Sequence, residues 1–366
     1  MTALTSRQRL LRLFQGKDID KTPVWLLFPY FPSRYYADVF HQPLYQDFLP
    51  MLWRETDTIE RYVGFDTGFC YNCHPEILRR KSTERDGTNV LEKQEIVCGD
   101  VVLSSGVLRG EKTESISFLK EIDDLDKVLA MPYQMPRPDL EDYRAHERLL
   151  GENGLMGVNV LDTLTVFHDL CTETDFCLYA FSEEERVTAF LDVIFERVMA
   201  YLTYLLENKI GEVFWISGAE FAVPPMLGPD LFSRLVVRYT KPMCDLIRSY
   251  GKFSMLHCHG KIGMVLDSLR TIGFDAIHPL EAPPMGDCPL QKAREALGRE
   301  CILTGNLQYG DILTQSPDEV EMMARTAVRE GSGGRFILSV TGGPSAPADD
   351  THVIENYKRI IRVAAQ

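Results

Sequence analysis

Long apolar runs are missing from this 366-residue sequence, and no stretch contains the ~18 consecutive apolar residues of a membrane-spanning helix. The first sixteen residues also lack the apolar core and the small-residue cleavage site of a secretory signal. The nine cysteines are odd in number and do not follow the spacing of a disulfide framework. We therefore expect a cytoplasmic protein with reduced thiols and no membrane partner.

Basic residues are also in short supply, since 39 lysines and arginines stand against 53 aspartates and glutamates, for a formal net charge of −14. Nucleic acids and anionic membrane surfaces are bound by clustered lysine and arginine side chains, so we expect neither as a partner. A small anionic substrate needs only a few local cations and stays compatible with this charge. No G-x-G-x-x-G follows the first apolar run, which disfavours a dinucleotide-binding fold.

From residue 155 onward the chain alternates regularly between short apolar runs and amphipathic helical stretches. The apolar runs lie at 155–160, 212–217, 252–257, 275–280, 301–305 and 335–340. Runs of this kind, alternating with helices, are typical of parallel strands that are covered on both faces. With two earlier runs, at 24–28 and near 67–71, they predict a (β/α)8 TIM barrel that forms one domain over residues 1–366.

The amino-terminal third departs from this alternation in one place. Between residues 77 and 118 the pattern changes to alternating β-prone residues with a turn at Asp86-Gly87, which predicts one or two inserted β-hairpins. Before this insertion, the sequence predicts a helix over about 45–63, ahead of the short strand near 67–71.

The active site of such a barrel is assembled from residues just past the carboxyl ends of the strands. Polar or ionisable residues follow five successive predicted strands here and would converge on one mouth. We predict that the catalytic residues are Glu220, His257, His259 and Glu281. The predicted substrate-binding residues are Arg34, Asn159, Asn306, Gln308, Thr341 and Gly342.

The His257-x-His259 pair is the most specific of these features. Residues two apart in a strand point the same way, so both imidazoles should face the mouth. With a carboxylate from Glu220 or Glu281 they would form a three-ligand site with an open position, as catalytic zinc prefers. Alternatively, one histidine hydrogen-bonds a substrate and the other a neighbouring carboxylate. His278 lies inside a predicted strand, and we interpret it as a core or supporting histidine.

Four segments together resemble the uroporphyrinogen decarboxylase superfamily: GAEFAVPP (218–225), LHCHG (256–260), IGFDAIHPLEAPPMGD (272–287) and LTGNLQ (303–308). The resemblance runs over most of the chain and is best from residue 211 to the end. It implies a (β/α)8 barrel and two broad activities. One is metal-free decarboxylation of the acetate side chains of a porphyrinogen. The other is zinc-dependent methyl transfer to or from a thiol or a corrinoid protein.

The sequence departs from the decarboxylase branch of this superfamily. That branch carries an Arg-Gln-Ala-Gly-Arg loop after the first strand, whereas the corresponding stretch here, 28–34, contains one basic residue, Arg34. A tetrapyrrole with several carboxylates needs several cations. The superfamily's key aspartate should follow the next strand, and the segment 69–72 contains no acid. Decarboxylation of uroporphyrinogen is therefore disfavoured.

The methyltransferase branch holds zinc with a His-x-Cys pair and a second cysteine after the last strand. His257 matches the first ligand, His259 stands in place of the first cysteine and Gly342 in place of the second. The resemblance therefore implies a ligand set shifted from sulfur to nitrogen and oxygen, in which Glu281 or Glu220 replaces the missing thiolate. Zinc in such a site acts as a Lewis acid on an ether or a thiol.

These observations give three hypotheses of different kinds. The leading one is a metal-assisted methyltransferase that moves a methyl group between a small substrate and a corrinoid protein or a thiol. Its metal would be zinc, held by His257, His259 and Glu281. The second is a decarboxylase or related lyase that acts on a small carboxylate or a porphyrinogen-like compound, with the histidines as proton donors. The third is a non-catalytic member that only binds a ligand or partner.

Overall fold

The computed structural model describes residues 3–32, 36–65, 67–344 and 351–364. The elements of the first half are α1 (Ser6–Phe14), β1 (Val24–Trp25), α2 (Pro43–Gln46), α3 (Phe48–Glu55), β2 (Thr58–Tyr62), β3 (Leu78–Asp86), β4 (Asn89–Cys98), β5 (Val101–Arg109), β6 (Thr113–Ile116), α4 (Asp124–Leu129) and α5 (Glu141–Leu150). The elements that follow are β7 (Gly154–Leu161), α6 (Thr163–His168), α7 (Glu173–Ser182), α8 (Glu184–Glu207), β8 (Val213–Ser217), α9 (Pro229–Phe232), α10 (Arg238–Ser249), β9 (Phe253–His257), α11 (Leu266–Ile272), β10 (Ala276–Leu280), α12 (Leu290–Leu297), β11 (Ile302–Leu307), α13 (Tyr309–Thr314), α14 (Pro317–Gly331), β12 (Phe336–Val340) and α15 (Thr351–Ala364).

Eight parallel strands form one sheet, in the spatial order β1-β12-β11-β10-β9-β8-β7-β2. The two ends of this sheet meet where the Asp57 N–H donates to the Val24 carbonyl over 2.7 Å. The Val24 N–H in turn donates to Asp57 Oδ2 over 3.1 Å. The sheet is thereby nearly closed into a barrel, and helices connect its successive strands, which confirms the predicted (β/α)8 fold.

Helix α1 is attached to this seam by a buried ion pair. A capping box between Thr5 and Gln8 begins the helix. Arg9, one turn further on, donates from Nη1 to Asp57 Oδ1 over 2.6 Å and from Nε to Asp20 Oδ1 over 2.6 Å. Both Arg9 and Asp57 are buried, so the two charges compensate each other away from water.

The apolar runs of the sequence became the barrel strands because helices cover their outer faces and side chains fill the interior. Every residue of β10 and β12 is buried. Helix α8 packs on the barrel through apolar residues at helical spacing, among them Val187, Leu191, Ile194 and Val198. None of the described helices combines the length and the apolar character needed to cross a membrane.

The predicted excursion near 77–118 is a separate four-stranded antiparallel sheet in the order β3-β4-β5-β6. Strands β3 and β4 are joined by a tight turn in which Asp86 pairs with Asn89 and Gly87 has a positive φ of 60°. Ile96 and Leu103 lie opposite each other on β4 and β5 and are buried in the core. The inserted β-hairpins are therefore confirmed.

The second barrel strand is not where the sequence pattern placed it. The helix predicted over 45–63 ends at Glu55, and β2 follows at once and pairs in parallel with β7. The stretch 67–71 cannot continue as a strand, because Cys70 and Tyr71 have positive φ angles of 52° and 55°. The segment after the second strand thus begins at residue 63. The choice of 69–72 as the segment that follows the second strand, and the absence of the superfamily's aspartate inferred from it, are therefore wrong. The acid nearest the true strand end, Asp66, lies outside the described residues.

Candidate active site

The strand register brings polar side chains of neighbouring strands together at the carboxyl end of the barrel. In the ladder, Ser217 of β8 is opposite His257 of β9, and His257 is opposite His278 of β10. We call the polar and aromatic side chains that contact one another there the mouth network. Its members are Arg61, Asn159, Trp215, His257, His259, His278, Glu281, Gln308 and Thr341.

His257 and His278 contact each other through their Nδ1 atoms, which are 3.2 Å apart. His278 Nε2 lies 2.9 Å from the Val340 carbonyl, which can only accept, so this nitrogen carries a proton. In a neutral imidazole the other nitrogen, His278 Nδ1, is then an acceptor, and His257 Nδ1 donates to it. His257 Nε2 is left with its lone pair. This chain of bonds therefore fixes the tautomer of His257 and leaves its Nε2 able to bind a metal or a donor group.

Both histidines are neutral at physiological pH. Burial lowers the pKa of His278 to about 3, and the nearby positive charges of His259 and Arg61 act in the same direction. Burial also holds the pKa of His257 well below its ordinary value, with further lowering from the charges of His278 and His259. Neutral imidazoles are the form in which histidine binds metals.

A second chain of contacts runs from His259 across the next three strands. His259 Nδ1 lies 3.3 Å from Glu281 Oε1, which also accepts from Gln308 Nε2 over 3.4 Å. Gln308 Oε1 accepts in turn from the Thr341 hydroxyl over 3.1 Å. The other oxygen of Glu281 accepts from the Gly260 N–H over 2.7 Å. Glu281 is thus held in position from two sides.

Glu281 is ionised in this arrangement. Burial by itself would raise the pKa of Glu281, but the bonds from His259 and from the Gly260 N–H outweigh it and hold the pKa below its ordinary value. The His259 side chain is 41% exposed, whereas that of Glu281 is 9% exposed. The pair therefore presents an imidazole to the mouth that is backed by a buried carboxylate.

Arg61 and Trp215 form the opposite wall, and sequence reasoning missed both. The Arg61 guanidinium lies 4.2 Å from the ring centre of Trp215 and donates to Asn159 Oδ1 over 3.0 Å. The Trp215 ring is 4.8 Å from that of His257 and 5.0 Å from that of His278. The sequence offered no local signal for Arg61, because its strand also contains Thr58 and Glu60 and falls within the helix predicted over 45–63.

Glu220 does not join the His259–Glu281 pair. Its Oε2 accepts from the Gly218 N–H over 3.0 Å in its own loop. Burial raises the pKa of Glu220 above its ordinary value, opposed by backbone N–H groups and by the charges of His259 and His168. Asp162 and His168, which sequence reasoning also missed, lie on the same side of the mouth as Glu220. The charge of Glu220 raises the pKa of Asp162, and the charge of His168 lowers the pKa of Glu220.

The remaining predicted residues lie at different distances from this network. Asn306 lines a cleft of about 510 Å³ between the strand ends and α14, with Gln308 on its inner side. Gly342 is next to the Tyr309 side chain, where a β-carbon would be 3.5 Å from Tyr309 Cβ. Arg34 lies outside the described residues.

The family model for uroporphyrinogen decarboxylase matches residues 158–354, which is more than half of the chain. The chain belongs to the uroporphyrinogen decarboxylase family. It is similar to the curated methylcobamide:CoM methyltransferase MtaA of Methanosarcina barkeri, at 23% identity over 201 residues. That match covers 54% of this chain and 54% of the relative, so it spans about half the length of the curated protein.

A solved methyltransferase structure has the same fold as this uroporphyrinogen decarboxylase family member. A methyltransferase from Methanosarcina mazei superposes with a TM-score of 0.64 at 17% identity and covers 99% of this chain and 98% of that one. A B12-independent methionine synthase from Shewanella sp. W3-18-1 superposes with a TM-score of 0.40 at 11% identity, over 64% of this chain and 69% of that one. The first of these structures matches nearly the whole chain, so the likeness in fold is not confined to residues 158–354.

Resemblance to the family's methyltransferases implies a zinc ion at this mouth. The residues present suit such an ion in part. His259 Nδ1 and Glu281 Oε1 have about the separation of two donors on one tetrahedral zinc ion, and His257 presents a lone pair. Nitrogen and carboxylate donors are chemically suitable for zinc. In the described part of the chain, however, no three His, Cys, Asp or Glu side chains converge closely enough to hold a metal. One ligand pair is thus spaced for zinc, and a complete set is not assembled.

Proposed function

We propose that this protein is a methyltransferase that moves a methyl group between a small substrate and a corrinoid protein or a thiol. The relative named above, a methylcobamide:CoM methyltransferase, supports the reaction class. The observation that carries the proposal is the fixed tautomer of His257 beside the His259–Glu281 pair. Together they offer a lone pair, an accessible imidazole and an ionised carboxylate at one mouth, the donor types of a catalytic zinc site.

We propose His257, His259 and Glu281 as the residues that would hold zinc. When bound, the metal would supply a Lewis acid that activates a thiol or withdraws charge from a leaving group. The protein itself orients the donors: His278 fixes the tautomer of His257, and Gln308 and the Gly260 N–H fix the carboxylate of Glu281. Such supporting bonds raise the basicity of ligands and set their direction.

The substrate would lie above this group, among the other predicted binding residues. Asn159 is held by Arg61, and Thr341 by Gln308, so their free polar atoms have defined positions. Glu220 is partly exposed on the other side of His259 and would orient the substrate or accept its proton. Arg34, which lies outside the described residues, is also proposed as a substrate-binding residue, as are Asn306 and Gly342.

The mouth network fits decarboxylation less well. As defined above, it contains one permanent cation, Arg61, whereas a porphyrinogen presents several carboxylates. His257 and His278 are both neutral at pH 7, so neither is in the protonated form that a general acid needs to donate a proton to a substrate. A purely ligand-binding role does not account for a buried polar network of this size, since each such group costs desolvation energy.

The proposal is tested with zinc-loaded protein, methylcobalamin as methyl donor and a small thiol as acceptor. Methyl transfer changes the absorbance of the corrinoid, and metal content is measured in parallel by mass spectrometry. We expect the variants His257→Ala and His259→Ala to lose both bound zinc and methyl transfer. His41→Ala should keep both, because His41 is exposed and pairs with Asp38, which is not part of the mouth network. Methyl transfer that persists in zinc-free variants would exclude the metal-assisted reaction, and zinc retained by both variants would exclude the proposed ligands.

A further inference from the structure

Two carboxyl groups approach each other on the side of the mouth formed by β7 and β8. Asp162 directly follows β7, and its N–H donates to the Ser217 carbonyl over 3.0 Å. Glu220 follows β8, three residues past Ser217. Gly218, between them, has a φ of 130°, and a β-carbon there would overlap the Asp162 carboxylate and the Thr165 hydroxyl. Glycine is therefore required for this close approach.

Several buried polar atoms at this point have no hydrogen-bond partner among the described residues. Asp162 is 1% exposed, and its Oδ1 accepts from the Thr165 N–H over 2.8 Å and from the Thr165 hydroxyl over 2.9 Å. Its Oδ2 has no partner. Neither ring nitrogen of His168 has one, and the ring stacks on Phe221 at 3.6 Å. Unsatisfied buried groups are rare in proteins and point to a missing ligand or ion.

Two carboxyl groups meet on this side of the mouth, and in the described part of the chain neither forms an ion pair with a lysine or an arginine. Burial, with the charge of Glu220, raises the pKa of Asp162 to about 7, and the Thr165 bonds oppose this shift. The cations that reduce the pKa of Glu220 are histidines, His259 and His168. A permanent positive charge would be stabilised here.

We infer that Asp162, Glu220 and Phe221 form a subsite for a positive charge, and that the methyl donor is a methylated ammonium or sulfonium cation. Glu220 and Phe221 are partly exposed and can contact the ligand, whereas Asp162 lies buried beneath them and acts through its charge. Aromatic faces and carboxylates together are what bind quaternary cations in proteins. This inference rests on the proposed methyl transfer and names its substrate class.

Methyl transfer from such a donor to either proposed acceptor balances in atoms and electrons. The bond between the cationic nitrogen or sulfur and its methyl carbon breaks, and the electron pair stays on the heteroatom. The methyl carbon forms its new bond to the thiolate or to the reduced cobalt of the acceptor. The amine from an ammonium donor takes up a proton once it reaches water, whereas the thioether from a sulfonium donor is neutral and is no longer attracted by the subsite. Binding and release would thus be governed by the same pair of carboxyl groups.

Calorimetric titration with a pair of matched ligands tests the subsite without any turnover. Choline carries a trimethylammonium group, and 3,3-dimethyl-1-butanol is its uncharged analogue with the same shape. A (2-hydroxyethyl)dimethylsulfonium salt distinguishes sulfonium from ammonium. We expect the wild type to bind at least one cation about tenfold or more tighter than the neutral alcohol.

The variants Asp162→Asn and Glu220→Gln should lose this preference. Asparagine still caps a helix well, so Asp162→Asn removes the charge and keeps the bond that begins α6. Asp267→Asn, at an exposed carboxylate in the first turn of α11, is the matched control and should keep the preference. Thermal unfolding of each variant shows that it is folded before its binding is compared.

Equal binding of the cations and the neutral alcohol by the wild type would overturn the inference, as would a full preference in Asp162→Asn and Glu220→Gln. The two proposals fail separately. Methyl transfer from a neutral donor without any cation preference removes the substrate class and leaves the reaction. A cation preference without methyl transfer to any acceptor removes the reaction and leaves the binding site.

Discussion

His278 determines which nitrogen of His257 is free. The two Nδ1 atoms are 3.2 Å apart on neighbouring strands, and His278 donates its only proton to the Val340 carbonyl. His257 must therefore donate through Nδ1 and present Nε2 as a lone pair. A fully buried histidine thus determines which nitrogen of a histidine at the mouth can bind a metal or a donor group.

We expect His278→Phe to lower the affinity of the protein for zinc about 10- to 100-fold, because His257 loses the acceptor that fixes its tautomer. Affinity is measured by competition with a chromogenic chelator. His278→Gln supplies one donor and one acceptor and should recover part of the loss. Equal zinc affinity in the wild type and in His278→Phe would show that this bond has no role in metal binding.

Glu281 and Glu220 should differ in what they contribute. Glu281→Gln replaces an ionised carboxylate by a neutral amide, so we expect weaker metal retention. Glu220→Gln should keep the metal but lower kcat/KM by roughly 10²-fold, as the loss of a general base or an orienting charge does. Metal content and turnover of both variants are compared. If both keep full metal and full activity, these carboxylates have a structural role only.

Glu60 should make stability depend on pH. It is 6% exposed and accepts from the Tyr30 N–H over 2.7 Å. Burial raises its pKa from 4.5 to about 7, opposed by the Tyr30 and Phe31 N–H groups. Between these two values the unfolded chain has already released a proton that the folded chain retains, so unfolding becomes easier as pH rises.

Glu60→Gln removes the titrating carboxyl group. Its free energy of unfolding should therefore increase relative to that of the wild type as pH rises from 4.5 through 7. The gain should reach roughly 3 kcal/mol at most. The free energy of unfolding is measured in urea at pH 5, 6, 7 and 8. The exposed Glu76→Gln serves as control and should show no such trend. A difference between Glu60→Gln and the wild type that is independent of pH would contradict the shifted pKa.

The seam of the barrel should depend on Arg9. In Arg9→Met the Asp57 carboxylate, which is buried and bonded to both Arg9 and Val24, loses its compensating charge. We expect a loss of about 3–5 kcal/mol in the free energy of unfolding. The comparison is Arg12→Met, whose guanidinium is bonded to the Asp18 carbonyl at the surface and should matter little. Similar unfolding curves for the two variants would mean that the ion pair does not hold the seam.

The sequence by itself determined the barrel and most of its strands, because buried parallel strands must be apolar on both faces and leave an uninterrupted run of such residues. It also predicted, from their spacing of two, that the side chains of His257 and His259 share a direction. Their rings lie 4.7 Å apart, although β9 ends at His257 and His259 lies beyond it. It placed the second strand wrongly, because 58–62 contains Glu60 and Arg61, whose burial no local pattern announces.

Only the tertiary structure decided how the polar groups are paired. The His257–His278 bond joins residues 21 positions apart, and the contact of Arg61 with Asn159 joins residues 98 positions apart. Asp162 caps α6, and it becomes notable only because the segment after β8 brings the charge of Glu220 close enough to affect its pKa. Charge, burial and hydrogen bonding act through space, so their sum at the mouth is set by which strands are neighbours and in which register.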